Sequence, residues 1–273
     1  MRVFFIRHGE SVDNVAGRYA GSRDSPLTAH GSLQARRLAS GLAQSVVVTH
    51  VFSSQLQRAA KTAAAVCDAQ NGAHGAGLAV VAVPELREKD FGGAEGVGFR
   101  SGAAGERAAL DDAKTAQSMR ARASRFLDER LVPLLCADPA TDNDAACAIV
   151  AHGIILGVLV KVLFERMPRG GVLLPPAPER NGLVMDASGP MLSWSNTGYL
   201  EIAVSRQPAL AAVGPPKLPL QVHIKRVNCT SHLKNLHKTR GGIGSAAFDE
   251  RQRTMDHFFS SASRGHKARD ATS

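Results

Sequence analysis

Near its amino end the chain reads Val3-Phe4-Phe5-Ile6-Arg7-His8-Gly9-Glu10-Ser11. The apolar run from Val3 to Ile6 predicts a buried strand, and Arg7 and His8 follow where that strand stops. Ligands of open α/β sheets bind outside the carboxyl ends of the strands, so this position indicates a binding cleft. We interpret His8 as a nucleophile and Arg7 as an anion-binding group, with Gly9 permitting a sharp turn. The alternative is a strand end neutralised by a salt bridge.

The composition indicates a globular protein. The 273 residues are 44% hydrophobic, enough to bury a full core. No apolar run is long enough to span a bilayer, so we expect no membrane association. The four cysteines show no paired spacing, which is typical of a reduced, intracellular protein: Cys67, Cys136, Cys147 and Cys229. We therefore expect a cytoplasmic location, with the nucleus as the alternative.

The basic charge is concentrated at the carboxyl end. Residues 205–273 hold 12 Lys/Arg against 4 Asp/Glu, which accounts for +8 of the net charge of +9. This distribution argues against nucleic-acid binding by the main domain and leaves the partner of the extension open. We expect a main domain at 1–204, a Pro- and Ala-rich linker at 205–221, a partly ordered basic extension at 222–259 and a disordered tail at 260–273.

Strand and helix patterns alternate along the main domain. Further strands are predicted at 46–52, 78–83 and 146–151, and helices at about 29–42, 59–65, 118–135 and 154–164. Thr28 is the expected N-cap of the first helix, and Pro133 is expected to end or bend the third. Surface insertions or loops are expected at 97–117, 137–144 and 167–182. A strand pair, 192–194 with 199–204, is predicted last.

Two more strand ends carry a cation or an imidazole. Arg58 follows the second strand and His152 follows the fourth. If these strands are parallel, both side chains meet Arg7 and His8 in one cleft. That convergence suits phosphoryl transfer, in which cations neutralise the phosphoryl oxygens without a metal. Neighbouring cations lower the pKa of a histidine, which keeps the lone pair of His8 available at neutral pH.

Departure of the leaving group requires a proton, and Glu88 is the best candidate donor. It follows the third strand and precedes glycines that let the loop fold back. We expect Glu88 to be protonated mainly in the substrate complex. The alternative is a solvated charge within the run from Glu85 to Asp90.

These residues resemble the histidine phosphatase superfamily, also called phosphoglycerate-mutase-like. The resemblance spans residues 3 to about 204 and is carried by Arg7-His8-Gly9-Glu10-Ser11 with Asn14, Asp24-Ser25-Pro26-Leu27-Thr28, Ser53-Ser54 with Arg58 and Thr62, Leu86-Arg87-Glu88, and Ala151-His152-Gly153. It implies a three-layer α/β/α sandwich with a mainly parallel sheet, plus the C-terminal extension, and no cofactor. It also implies that His8 is phosphorylated, that Glu88 donates the proton, and that Arg7, Arg58, His152 and Asn14 bind the phosphoryl group.

Within this family we expect a phosphatase acting on small phosphomonoesters such as sugar phosphates. The cofactor-dependent mutases that this chain resembles carry a tyrosine at the position of Phe91 and a hydroxyl residue at the position of Ala20. Two polar contacts to a phosphorylated acid are therefore missing from this chain. A phosphoglycerate-type mutase is the first alternative, and a non-catalytic protein acting through the basic tail is the second. The extension resembles the tail of fungal members. Its Cys229, His232 and His237 have no standard metal-site spacing.

Overall fold

A seven-stranded sheet forms the centre of the molecule. The structure is a computed structural model that describes residues 1–75, 77–99, 112–137, 145–186, 189–207, 217–238 and 243–249. The strands of this sheet are β1 (Arg2–Arg7), β2 (Val48–Ser53), β3 (Val80–Ala82), β4 (Ala146–Ala151), β5 (Val172–Leu173), β8 (Tyr199–Arg206) and β9 (Leu220–Cys229). A separate hairpin is formed by β6 (Leu183–Asp186) and β7 (Gly189–Leu192).

The sheet is mainly parallel, as the resemblance implied. Its order is β3-β2-β4-β1-β8-β9-β5. Strands β3, β2, β4 and β1 are parallel neighbours, whereas β8 pairs antiparallel with both β1 and β9. The carboxyl ends of the four parallel strands therefore lie at the same edge of the sheet, where α/β proteins bind ligands.

Helices cover both faces of the sheet and complete the expected three layers. Alternate residues of β1 enter two different cores: Phe4 packs with the helices at 29–45 and 57–74 on one face, and Phe5 packs with those at 112–126 and 153–165 on the other. Period-two alternation of strand side chains explains this division. The helices are α1 (Val12–Val15), α2 (Ala29–Ser45), α3 (Gln57–His74), α4 (Asp112–Phe126), α5 (Val132–Cys136) and α6 (Gly153–Glu165).

The N-cap signal of the first long helix is confirmed, whereas the helix predicted at 59–65 is longer and runs from Gln57 to His74. Thr28 is the N-cap of α2, and its Oγ1 accepts a hydrogen bond from Gly31 N at 2.9 Å. The predicted third helix begins earlier, at Asp112, and passes through a π-helical turn at Leu127–Leu131 before α5. Pro133 does not end the helix: α5 continues directly from the π-helical turn, and the change from α-helix to π-helix lies just before the proline.

The prediction of a strand pair between 192–194 and 199–204 is wrong. Leu192 ends β7, which pairs with β6, while β8 pairs with β1 and β9. The turn residues at 196–198 favoured a hairpin, but the apolar residues of β8 are instead buried by pairing with β1 and β9 in the central sheet. The predicted loop at 167–182 contains β5 and a 3-10 turn, Ala177–Glu179.

The carboxyl-terminal region adds to the main sheet. Strand β8 runs to Arg206, and β9 spans the end of the expected linker and the start of the expected extension. Residues 208–216 of the expected linker, 100–111 of the insertion, 138–144 of a loop and the tail at 260–273 lie outside the described residues. None of the helices in the described ranges combines the length and apolar character needed to cross a membrane.

Candidate active site

The parallel strands bring two histidines together. Arg7 of β1 is in register with Ala151 of β4, so His8 and His152, the next residues, are neighbours across the sheet edge. Their ring centroids are 5.0 Å apart at an interplanar angle of 60°. Both side chains are buried. The predicted meeting of these strand ends therefore occurs in the fold.

The His8 ring has one free nitrogen lone pair. Its Nδ1 lies 2.6 Å from Gly9 O, and because a carbonyl oxygen only accepts, Nδ1 carries the proton. Burial lowers the pKa of His8 well below 6.5, and the guanidinium groups of Arg58 and Arg7 lower it further. A neutral imidazole with its lone pair on Nε2 is the form that can attack phosphorus.

Close packing of glycines fixes the loop that carries His8. A Cβ on Gly9 would lie 2.5 Å from Gly31 O, closer than real Cβ atoms approach backbone oxygen. Gly9 N also donates to Thr62 Oγ1 at 3.1 Å, and Thr62 Oγ1 donates to Arg58 O at 2.7 Å. The loop after β1 is thus held by the first turn of α2 on one side and by α3 on the other.

Arg58 is a buried cation held by backbone carbonyls. Its Nη1 and Nη2 donate to Arg23 O at 2.6 Å and Gly21 O at 2.7 Å, and only 1% of the residue is exposed. Burial lowers its pKa, while the charge of Glu88 opposes that shift. Arg7 is anchored in a similar way, with Nη1 donating to Trp194 O at 2.6 Å.

Three buried nitrogens near His8 have no hydrogen-bond partner within the part of the chain that the structure describes. They are Arg7 Nε, Arg58 Nε and His152 Nδ1. Buried donors are normally satisfied, so such groups mark a place where an acceptor can bind. Together with two positive charges, they suit the oxygens of a phosphoryl group.

A hydroxyl orients the second histidine. Ser54 Oγ lies 2.9 Å from His152 Nε2 and accepts a hydrogen bond from Leu56 N at 3.3 Å. Because Leu56 N already occupies one acceptor position of Ser54 Oγ, we assign the hydroxyl hydrogen to Nε2, which leaves the proton of His152 on Nδ1. Burial, followed by the charge of Arg58, lowers the pKa of His152 well below 6.5, so the ring is neutral.

Asn14 lies at the edge of the same cleft, in the short helix α1. Its Oδ1 accepts from Ser11 N and from Asn196 Nδ2, each at 3.1 Å. Because Oδ1 accepts both bonds, the side-chain NH2 of Asn14 is the group available to donate to a ligand.

Glu88 belongs to the loop after β3, and its carboxylate contacts the first turn of α6. Its Oε1 accepts from Lys89 N at 2.9 Å and Ile155 N at 3.1 Å, and its Oε2 accepts from Ile154 N at 3.1 Å. The first backbone N–H groups of a helix have no partner within the helix, and the carboxylate satisfies two of them. The side chain lines the cleft that contains His8.

The sequence match to known proteins decides the family. The model of the histidine phosphatase superfamily (branch 1) matches residues 3–175 of this chain. The chain belongs to the histidine phosphatase superfamily. The resemblance stated from its motifs is thereby confirmed.

Relatives within this superfamily carry both phosphatase and mutase names. A probable phosphatase of Schizosaccharomyces pombe is 28% identical over 262 residues, covering 93% of this chain and 78% of the relative. The probable phosphoglycerate mutase GpmB of Erwinia tasmaniensis is 31% identical over 167 residues, covering 60% and 74%. The solved structure of the α-ribazole phosphatase from Shigella flexneri is 25% identical with a TM-score of 0.56, covering 84% and 97%. Membership supports a hydrolase or phosphotransferase.

The cleft of this superfamily member extends well beyond the histidines. Its volume is about 650 Å³, within the range of sites for organic ligands. One wall is an aromatic cluster in which Tyr19 lies 4.8 Å from Phe91 and 4.7 Å from Phe99, measured between ring centroids. Other walls come from α6, β7 and the residues after it, namely Ile154, Gly157, Val158, Lys161, Pro190, Met191, Leu192 and Trp194.

Several residues that position the site were absent from our sequence-based site prediction. Ser54 and Thr62 belonged to the quoted family motifs, but nothing local indicated which histidine or loop they contact. Arg122 of α4 donates from Nη1 to Glu85 O at 2.9 Å and thereby holds the loop before Glu88. Asn196 Nδ2 donates to His8 O at 3.2 Å from a turn 188 residues away. Only its position in a turn marked it in the sequence.

Within the described ranges, no three His, Cys, Asp or Glu side chains are grouped so that they could hold an ion. His232, considered with Cys229 and His237 from the sequence, instead makes a hydrogen bond to Thr197.

Proposed function

We propose that this protein is a metal-independent phosphatase that hydrolyses small phosphomonoesters through a phosphohistidine on His8. The observation that carries the proposal is the state of His8: a neutral ring, protonated on Nδ1 by the contact with Gly9 O and flanked by two guanidinium groups. Such a group is a nucleophile placed next to charges that stabilise a transferring phosphoryl group.

In the first step, His8 Nε2 attacks phosphorus and the bond from phosphorus to the ester oxygen breaks. Glu88 supplies the proton that the departing alkoxide needs. Water then attacks the phosphohistidine, Glu88 takes up a proton, and inorganic phosphate leaves while the His8 lone pair is restored. The same carboxyl thus serves as acid and then as base, which makes the two steps a closed cycle.

The phosphoryl group is held, in this proposal, by Arg7, Arg58, His152 and Asn14. The guanidinium groups of Arg7 and Arg58 replace the charge that a divalent ion supplies in other phosphoryl-transfer sites, and His152 and Asn14 add neutral hydrogen-bond donors. Support comes from the three buried nitrogens without hydrogen-bond partners in the described structure, since each is available to one phosphoryl oxygen.

The mutase alternative is favoured by the similarity to GpmB. Against it, Phe91 and Ala20 line the cleft where the mutases that the chain resembles offer hydroxyl groups. A mutase must return the phosphoryl group to its acceptor and exclude water, which requires polar contacts to the retained substrate. The apolar wall favours loss of the alcohol after the first step, and therefore hydrolysis.

We further infer that the alcohol half of the substrate carries apolar surface. The aromatic cluster and the α6 wall face the same cleft, and Phe99, Ile154 and Met191 there are 52%, 43% and 57% exposed. Burial of apolar area stabilises a bound ligand by roughly 25 cal/mol per Å². Among phosphomonoesters of alkyl alcohols with similar leaving groups, those with apolar alcohols should therefore have a lower KM than sugar phosphates.

The decisive test is a panel of phosphomonoesters assayed with chelator present, followed by detection of acid-labile phosphate on the protein. The wild type should turn over and label at His8, and His8→Ala should lose essentially all turnover, on the order of 10⁶-fold for a nucleophile. His74→Ala, at the exposed end of α3, is the matched control and should remain active. Inactivation by chelator, or unlabelled protein during turnover, would contradict the mechanism. Unchanged turnover in His8→Ala would also contradict the mechanism. A non-catalytic protein that acts through its tail should turn over none of these substrates specifically.

A further inference from the structure

We propose that the C-terminal segment, residues 228–238, positions the catalytic loop, residues 7–10, through His232 and Lys238. The inference rests on the proposed phosphohistidine chemistry and gives the extension a role in it. Neither side chain lines the cleft that contains His8, so we treat both as positioning residues. The contacts run through two separate intermediates, Thr197 and Glu10.

Thr197 connects the segment to the backbone of His8. Its N–H donates to His8 O at 3.2 Å, and the residue is fully buried. Its φ is +55°, a left-handed conformation that a β-branched residue adopts only when its surroundings impose it. Asn196 reinforces the contact, because its Nδ2 also donates to His8 O at 3.2 Å. The strained turn is therefore the support of the His8 carbonyl.

His232 holds this turn in place. Its Nε2 lies 2.9 Å from Thr197 Oγ1, which itself donates to Asn196 O at 2.7 Å. Since the only hydroxyl hydrogen of Thr197 is used in that bond, His232 must donate from Nε2. The ring also stacks on Tyr199 with centroids 6.1 Å apart.

Asn228 adds a second clamp on the same turn. Its Oδ1 accepts from Ser195 N at 2.8 Å, and its Nδ2 donates to Ser195 Oγ at 3.1 Å. A Cβ on Gly198 would lie 2.2 Å from Asn228 Oδ1, so the segment and the turn are in close contact. The C-terminal segment thus contacts both ends of the turn that supports His8.

Lys238 acts on the far end of the catalytic loop. Its Nζ lies 2.7 Å from Glu10 Oε2, and Glu10 Oε1 accepts from Thr28 Oγ1 at 2.7 Å. The backbone N–H of Glu10 donates to Gln34 Oε1 at 2.9 Å. Lys238 therefore neutralises the carboxylate that joins the catalytic loop to the start of α2.

These contacts matter because attack on phosphorus depends on the placement of the His8 ring. The ring follows its backbone, in which His8 N donates to Ala151 O at 3.0 Å, Gly9 N donates to Thr62, and His8 O accepts from the turn at 196–197. An error of 1 Å in a reacting group can cost about 10²-fold in rate, so even a partial loosening should be measurable. Loosening should slow phosphohistidine formation more than it weakens substrate binding, because Arg58 is held independently by Gly21 and Arg23.

The first experiment compares His232→Leu with His232→Gln in the full chain. Single-turnover phosphohistidine formation should fall by about 5- to 10-fold in the Leu variant, the effect of one lost hydrogen bond, with KM unchanged within about twofold. The Gln variant should recover most of the rate, because its side-chain NH2 can donate to Thr197 Oγ1. His237→Leu, an exposed histidine of the same segment, is the control and should behave like the wild type.

The second experiment uses Lys238→Met and Lys238→Arg. The Met variant should again lower the phosphorylation rate, by about 3- to 5-fold, and the Arg variant should restore it, since the guanidinium also pairs with a carboxylate. Lys234→Met removes an equal charge from the exposed surface of the segment and should have no effect.

Thermal unfolding of each variant separates positioning from folding. The inference is wrong if His232→Leu and Lys238→Met phosphorylate at the wild-type rate, if the conservative variants are as slow as the others, or if each rate loss equals the loss of folded protein. A wild type that forms no phosphohistidine would instead overturn the proposed function itself.

Discussion

The carboxylate of Glu88 accepts a hydrogen bond from the backbone N–H of Ile155, at 3.1 Å, inside the first turn of helix α6. The helix that follows His152 therefore also holds the group that we propose as proton donor. Among the described residues, Oε1 accepts backbone hydrogen bonds from Lys89 and Ile155, and Oε2 accepts one from Ile154. Oε2 is accordingly the oxygen with the greater capacity to exchange a proton with the leaving group.

Replacement of Glu88 by Gln should separate substrates by their leaving groups. A poor leaving group such as an alkyl alkoxide needs the proton, so phosphohistidine formation should slow by about 10²- to 10⁴-fold. p-Nitrophenolate leaves without protonation, so the rate of phosphohistidine formation from p-nitrophenyl phosphate should decrease much less in the same burst experiment. Glu85→Gln, in the same loop but paired with Arg125 at 3.4 Å, is the control. Equal losses for both substrates would exclude proton donation by Glu88.

Removal of the Ser54 hydroxyl should disturb His152 rather than the fold. Without the 2.9 Å contact, the ring is free to place its proton on Nε2, and Nδ1 then no longer donates to a phosphoryl oxygen. We expect Ser54→Ala to reduce kcat/KM by roughly 3- to 10-fold, the value of one hydrogen bond. Binding of inorganic phosphate, measured by calorimetry, should weaken in parallel. Ser54→Thr, which keeps a hydroxyl, should retain more activity than Ser54→Ala.

A methyl group at Gly31 should damage the catalytic loop. The added Cβ would lie 2.0 Å from Glu10 O, so either the loop or the first turn of α2 must move. We expect Gly31→Ala to lower the free energy of unfolding by about 1–3 kcal/mol and to reduce turnover as well. Gly72→Ala is the matched control in α3, where a Cβ meets no atom within 4 Å. That variant should be as stable as the wild type or more stable by up to about 1 kcal/mol. If denaturant titrations show a similar decrease in the free energy of unfolding for both variants, the argument is wrong.

Lowering the pH should leave the His8 ring neutral over an unusually wide range. Burial and the adjacent arginines lower its pKa well below 6.5, so its imidazole NMR signals should stay constant from pH 8 to below pH 6. In the urea-unfolded protein the same signals should titrate near 6.5. The unfolded state then binds more protons below about pH 6.5, so the free energy of unfolding should fall as the pH falls from there. A folded-state midpoint at or above 6.5 would contradict a permanently neutral nucleophile.

Much of the site followed from residue order alone. Arg7, His8 and His152 were identified because each stands where an apolar run stops, and runs of that kind become parallel strands with a common edge. Strand β4 was predicted with its observed bounds, since every one of its residues is apolar and buried. The N-cap at Thr28 was equally readable, because its signal lies within four residues.

Other features depend on contacts between distant segments. The turn at 196–198 looked like a hairpin, yet it binds His8 O, because strand β8 pairs with β1 instead of with the residues that precede the turn. Strand β9 lay in a region whose basic composition suggested a partly ordered extension. Composition averages over a segment and does not report the alternation that buries Val222 and Ile224 against the sheet.

The sequence by itself determined the membership of the histidine phosphatase superfamily and the residue types of its catalytic centre, because these are local motifs at strand ends. Only the tertiary structure decided which groups hold that centre in place: Ser54 behind His152, the start of α6 around Glu88, and the C-terminal segment behind His8. The reason is physical, since a hydrogen bond of about 3 Å between residues far apart in sequence exists only after the sheet has set their separation.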